Sequence, residues 1–348
     1  MHATPSLAPS HRAARAPARR RSPSRAWRFG TALLAATSLA AGAAPAQEAA
    51  WPSHPIRLVV ASGAGSGTDI FARVFAEQLG KALGQPLVVD NKPGANGILG
   101  SAAVAKARPD GYTLLFTYAA SIVINATLQP ALPYDAQKDL VPVAQVGSGG
   151  NLLVVSPDLP VHDIRELAAY ARARPQGLDY ASWGIGSGGH LTMESLKAQT
   201  GLKLRHVPYK TVSQILTDMQ GGIVKLAFVD ASSPLPLIRA GKLRPIAVSG
   251  TRRAPAFPAL ATMTEQGYPF QADSWYGLFV PAGTPPAIVQ RLNAEMNRAL
   301  AAPALRERFT AYNMGTPPIK SVQQFADTVR ADTRMWGDVI RAAGVTPE

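Results

Sequence analysis

Apolar positions in this chain fall into short runs separated by turns rich in glycine and proline. Residues 56–61 (IRLVVA) form an apolar run with one charge, bounded by Pro55 and a glycine-rich loop, and predict a buried strand. Over residues 69–83, Ile70, Phe71, Val74, Phe75, Leu79 and Leu83 recur at helical spacing. A second strand is predicted at 86–89, a loop with Pro93-Gly94 at 91–97, a helix of small residues at 100–107 and a third strand at 112–117. Strand and helix in alternation predict a parallel sheet with crossovers. The rhythm restarts with strands at 151–156, 179–182, 204–207, 224–229 and 243–249, and helices at 161–173, 190–200, 212–220 and 235–240. The last third holds one strand, at 275–281, then helices at 285–300, 305–309 and 322–342. The first of these helices starts on Pro-Pro, where proline is tolerated. Such a tail is expected to return to the first sheet, with crossings near residues 146–151 and 274–279.

A chain of 348 residues that is 47% apolar and 16% charged suits about two α/β domains and excludes disorder by composition. The net charge of +13 suggests nucleic acid at first sight, but its distribution argues against that. Residues 1–46 contain seven arginines and no acidic residue, which leaves +6 spread thinly over the rest. After Arg28 an apolar stretch runs to the small-residue sequence Ala44-Pro45-Ala46, so residues 1–46 read as a cleaved signal peptide. The absence of cysteine excludes disulfides, thiolate metal sites, a Cys nucleophile and a lipid-modified Cys anchor. The histidines show no metal-ligand spacing, and neither metal nor cofactor is expected.

Candidate chemistry sits in loops that follow strands, where open α/β sheets bind ligands. The first is Ser62, Gly63, Ala64, Gly65, Ser66, Gly67, Thr68 and Asp69. Its glycines permit close backbone approach, and the helix start beyond it favours an anion. A plain turn is the competing reading, and the spacing departs from the dinucleotide fingerprint. The second loop, 183–190, offers Gly186, Ser187 and His190. It lacks the Lys-Ser/Thr ending of a nucleotide P-loop, and a Ser/His hydrolase reading lacks the G-x-S-x-G elbow. The third loop, after the strand at 112–117, offers Ser121. Asp230 follows the strand at 224–229 and could meet a ligand or cap the next helix.

Several strings in this order carry a family resemblance: Trp51-Pro52-Ser53 with Pro55-Ile56-Arg57, Thr68-Asp69, Asp90-Asn91-Lys92-Pro93-Gly94, Pro109-Asp110-Gly111-Tyr112, Gly186-Ser187 with His190, His206-Val207-Pro208-Tyr209-Lys210, and Ser274-Trp275-Tyr276-Gly277. The chain resembles the substrate-binding proteins of tripartite tricarboxylate transporters, the Bug-type periplasmic receptors, over essentially all of residues 51–344. The resemblance implies an α/β, two-lobed type II periplasmic-binding fold with a mostly parallel sheet in each lobe. Lobe 1 would comprise 47–148 with 277–348, and lobe 2 would comprise 149–276. It implies a monomer that grips a small carboxylate in the cleft through Ser62 to Asp69, Ser121, Gly186, Ser187, His190 and Asp230, without catalysis. The implied partners are the membrane permease subunits of the transporter, or a sensor protein in their place. Ala61, Ser66 and Thr211 depart from the residues usual in that family.

Overall fold

The first apolar run becomes β1 (Ile56–Val60), buried on both faces except at Arg57, as an inner strand requires. Helix α1 (Gly67–Leu83) starts where Ser66 Oγ accepts a hydrogen bond from Asp69 N–H, and it ends at Gly84 in the left-handed region, φ +71°. There follow β2 (Leu87–Asn91), α2 (Ile98–Ala105) and β3 (Thr113–Tyr118). A buried helical segment, Ala120–Ile124, runs into α3 (Asn125–Leu128) and is followed by β4 (Leu140–Gly149). The second series is β5 (Leu152–Val155), α4 (Ile164–Arg172), β6 (Leu178–Ser182), α5 (Gly188–Thr200), β7 (Leu204–Pro208), α6 (Val212–Gln220), β8 (Leu226–Val229), α7 (Leu235–Arg239) and β9 (Arg244–Val248). Strand β10 (Ser274–Pro281) and helices α8 (Pro286–Ala301), α9 (Pro303–Ala311) and α10 (Val322–Ala343) complete the chain. The computed structural model describes residues 51–346 except 130, 313, 316 and 317. The expected signal peptide at 1–46 lies outside the described residues.

The strands form two five-stranded sheets, ordered β2-β1-β3-β10-β4 and β7-β6-β8-β5-β9. In each, the fourth strand in that order runs against the other four: β10 is antiparallel to β3 and β4, and β5 to β8 and β9. Both sheets are therefore mostly parallel, as expected, with one reversed strand each. The chain leaves the first sheet after Gly149, enters the second at Leu152 and is back in the first at Ser274. Helix α10 packs on β4, α8 and the 120–128 segment of the first sheet's lobe, and also on α5 beside the second sheet. Trp275 Nε1 donates to Asp332 Oδ2 at 2.6 Å, and Phe270 meets Trp336 edge-on. A Ser321–Gln324 capping box starts α10, and Gly344 at φ +64° ends it.

The structure adds one strand to which the sequence pattern assigned nothing and corrects one expectation. Residues 140–149 carry no alternating pattern, yet they form the longest strand described. Pro142 is tolerated there because β4 is an edge strand, and the ladder with β10 shifts register next to its partner Phe279. The stretch after β3, expected as a loop, is helical and fully buried from Ala120 to Ile124.

Candidate functional site

The parallel strands of each sheet end at the cleft, and the reversed strands begin there. Ser62, Gly63, Ser66 and Thr68 follow β1, Asn96 follows β2, and Tyr118 closes β3. From the second sheet come Trp183 after β6, Lys210 and Thr211 after β7, and Asp230 after β8. Asn151 precedes β5, Ser274, Trp275 and Tyr276 open β10, and Met314 closes the tail side. Together they line a cavity of about 50 Å³, room for several waters.

The lobes touch across this cavity. Ser213 Oγ donates to Ala64 O at 3.2 Å, and Asn96 Nδ2 donates to Gly186 O at 3.0 Å. Gly63 lies so close to Thr211 that a Cβ there would fall 2.6 Å from Thr211 Cγ2. A Cβ on Gly67 would fall 2.4 Å from Asp230 Oδ1 and 2.6 Å from Ser232 Oγ. The cleft is therefore closed, and glycine at these two positions allows it.

The first loop leads into the start of α1 at the cavity wall. Helix α1 presents its N-terminus there, and Ser62 Oγ and Ser66 Oγ share a hydrogen bond of 2.6 Å. Behind this loop, Asp69 is buried. Its Oδ2 accepts from Gly65 N–H and from Arg73, and its Oδ1 accepts from Asn91 Nδ2, which also donates to Ser62 O. Burial works against the charged form of Asp69, but the hydrogen bonds from Arg73, Gly65 and Asn91 outweigh it and hold the carboxyl below its ordinary value. Asp69 thus shapes the loop from behind, and Ala64, Gly65, Gly67 and Asp69 do not line the cavity.

Asp230 lines the cavity, yet its oxygens are engaged: Oδ1 accepts from Ser232 N–H, Ser232 Oγ and Ser233 N–H, and Oδ2 from Ser233 Oγ. It fixes the turn into α7. Burial, then the nearby Asp230 charge, raises the Tyr276 phenol well above its ordinary value, so its proton is retained.

The other expected residues lie behind the wall. Ser121 is fully buried, bonded to Thr117 Oγ1 and to Tyr118 O. Ser187 Oγ caps α5 by accepting from His190 N–H, and His190 Nδ1 accepts from Gly186 N–H. Gly186 contributes its carbonyl to the Asn96 bridge. Sequence reasoning passed over Asn96, Asn151, Trp183, Lys210, Thr211 and the β10 start. Asn96, Asn151 and Trp183 offered position alone, beside strand ends, whereas Lys210 and Ser274 to Tyr276 stand in the strings that carry the family resemblance.

Beneath the second loop, the rings of Tyr180, His206 and His190 stack, with centroids 5.0 and 4.1 Å apart. His206 Nε2 pairs with Ser182 Oγ at 2.7 Å, and Lys197 holds Glu194 beside His190. Burial, then the neighbouring His190, lowers His206 to about 4, and burial lowers His190 as well. An unfolded histidine titrates near 6.5, so between pH 6.5 and about 4 the unfolded chain binds more protons than the folded one. Stability conferred by neutral His206 is complete above pH 6.5 and is lost on acidification towards pH 4, by about 2 kcal/mol once solvent screening of the partly exposed ring is allowed for. Thermal melts across this range should show that loss, and His206→Gln should flatten it. An unchanged slope in the variant would assign the loss to other groups.

A model of the tripartite tricarboxylate transporter family receptor matches residues 71–345. BugT of Bordetella pertussis is 37% identical over 304 residues, covering 87% of this chain and 93% of its own. A Rhodopseudomonas palustris protein solved with adipate superposes with a TM-score of 0.83 at 34% identity, covering 86% of this chain and 100% of that one. MatC of Rhodopseudomonas palustris, solved with bound malate, gives 0.78 at 31% identity, covering 83% and 100%.

Proposed function

The chain belongs to the tripartite tricarboxylate transporter receptor family, and on that premise we propose that it captures a small carboxylate in the periplasm by closing its two lobes. The observation that carries this reading is the grouping of Ser62, Ser66 and the α1 N-terminus on one wall of a cavity enclosed by residues of both sheets. Backbone N–H groups and hydroxyls serve one carboxylate there with Lys210 as the lone cation among the lining residues. A ligand that holds the lobes together favours the closed form by its differential affinity, and membrane subunits of the transporter read that form. No helix among the described residues is long and apolar enough to cross a membrane.

The chemistry of the second loop speaks for binding over hydrolysis. Ser187 Oγ is engaged as a helix cap and His190 Nδ1 accepts a backbone N–H, so neither is arranged as nucleophile and base. Titration calorimetry against a panel of small carboxylic acids tests the proposal. One acid should bind with a heat that saturates, raise the melting temperature and be recovered unchanged. Lack of binding by every acid, or conversion of the bound one, would remove it.

A further inference from the structure

The two glycine-rich loops have similar sequences but face the cavity differently. At the first loop the N-terminal residues of α1 line the cavity, in Ser66 and Thr68. At the second, the N-terminal residues of α5 do not line it, and Trp183 does. The indole lies against the first turn of that helix. A Cβ on Gly189 would fall 2.6 Å from Trp183 Cζ3, and one on Gly188 would fall 3.6 Å from Cζ2. Two successive glycines therefore form a bed for the ring. Trp183 also packs against both hydrophobic clusters of the molecule, so the ring is held.

This arrangement has two effects on a ligand. An apolar ring face stands where the amide groups of α5 would otherwise meet a second polar end. The ring also takes up space. The remaining cavity, about 50 Å³, is well below the roughly 150 Å³ that accommodates a benzene ring in an apolar protein cavity. At its sides Ser213 bonds Ala64 and Asn96 bonds Gly186, which ties the two lobes together beside the cavity.

We propose that Trp183 determines specificity by limiting ligand length: the cavity takes a compact acid of a few carbons, with its carboxylate on the first loop and its far end against the indole. This rests on the carboxylate-receptor reading above and adds a size limit and a residue that sets it. Trp183 acts by direct contact with the ligand and exclusion of longer ones. A pocket that must expand by one methylene loses about tenfold in affinity for that ligand.

The test is calorimetry on the intact protein with two homologous series, acetate to hexanoate and malonate to adipate. The wild type should bind a short member of one series best and lose about tenfold or more for each methylene beyond it. Trp183→Ala should move the optimum to longer acids and admit benzoate, while the shortest acid, which loses its contact with the indole, binds more weakly than in the wild type. Trp183→Leu, which keeps an apolar packing residue, should give an intermediate optimum and serves as the measurement if the alanine variant does not fold. Wild-type affinity that stays level from succinate to adipate, or variants with the parental length profile, would overturn the proposal. Failure of the wild type to bind any acid in either series would instead overturn the carboxylate reading on which it rests.

Discussion

Gly63→Ala should weaken ligand binding by about 30-fold and leave the melting temperature of the unliganded protein nearly unchanged. The added methyl would lie 2.6 Å from Thr211 Cγ2 and 3.2 Å from Thr211 Cβ. Thr211 belongs to the opposite lobe, so the overlap arises only when the cleft closes. Thr211 cannot swing aside freely, because its hydroxyl caps α6 by accepting from Gln214 N–H. Overpacking of this kind costs about 2 kcal/mol, charged entirely to the closed form. A variant on the facing residue separates closure from simple blockage of the cavity. Thr211→Ser removes Cγ2 but keeps the capping oxygen, and combined with Gly63→Ala it should restore most of the affinity. Parental affinity in Gly63→Ala would mean that the ligand is held in a cleft more open than the one described.

Asn96→Ala should cost about 4 kcal/mol of stability, measured by urea unfolding, and should weaken binding as well. Asn96 is buried and makes four hydrogen bonds to three residues. Its Nδ2 donates to Asn125 Oδ1 and Gly186 O, its Oδ1 accepts from Tyr118 Oη, and its carbonyl accepts from Asn125 Nδ2. Removal of the side chain strands buried polar groups on Asn125, Tyr118 and Gly186, at about 1–3 kcal/mol each before relaxation. The backbone adds to this, since Asn96 has φ +48°, which asparagine tolerates better than alanine. Asn96→Gly relieves the backbone strain and loses the same hydrogen bonds, so the difference between the two variants isolates the strain. A loss below about 1 kcal/mol in the alanine variant would show that water replaces these bonds, and the bridge between the lobes would then carry little.

Local pattern was enough to read most strands and helices, because α/β strands are short apolar runs and their helices carry a buried stripe. It failed at β4, where burial of neighbouring residues on both faces and Pro142 hide the strand period, and at Ala120–Ile124, where an apolar run admits helix or loop. The direction of β5 and β10 was not legible, because strand direction depends on where the chain crosses and not on the residues within the strand. The candidate site divides in the same way. Ser62, Gly63, Ser66, Thr68 and Asp230 were legible from loop chemistry and line the cavity. Ser187 and His190 carry the same local signal, but Trp183 stands between their helix and the ligand space. A single large residue five positions upstream of a glycine pair decides that, and no spacing rule announces it.

The placement of β10 between β3 and β4 has a consequence for how the polypeptide assembles as it is made. Tyr276 pairs with Tyr118 on one side and Val146 on the other, across the whole of the second sheet in sequence. Until that strand arrives, β3 and β4 have no partner between them, and their main-chain groups stand open on facing edges. Strands β2, β1 and β3 pair without it, but β4 cannot join their sheet until residues 274–281 arrive, and a loop closed over so long a separation makes that step slow. The nascent protein carries an unfinished sheet through most of its synthesis, and the late strand that closes it is also the one that brings Trp275 and Tyr276 to the cavity.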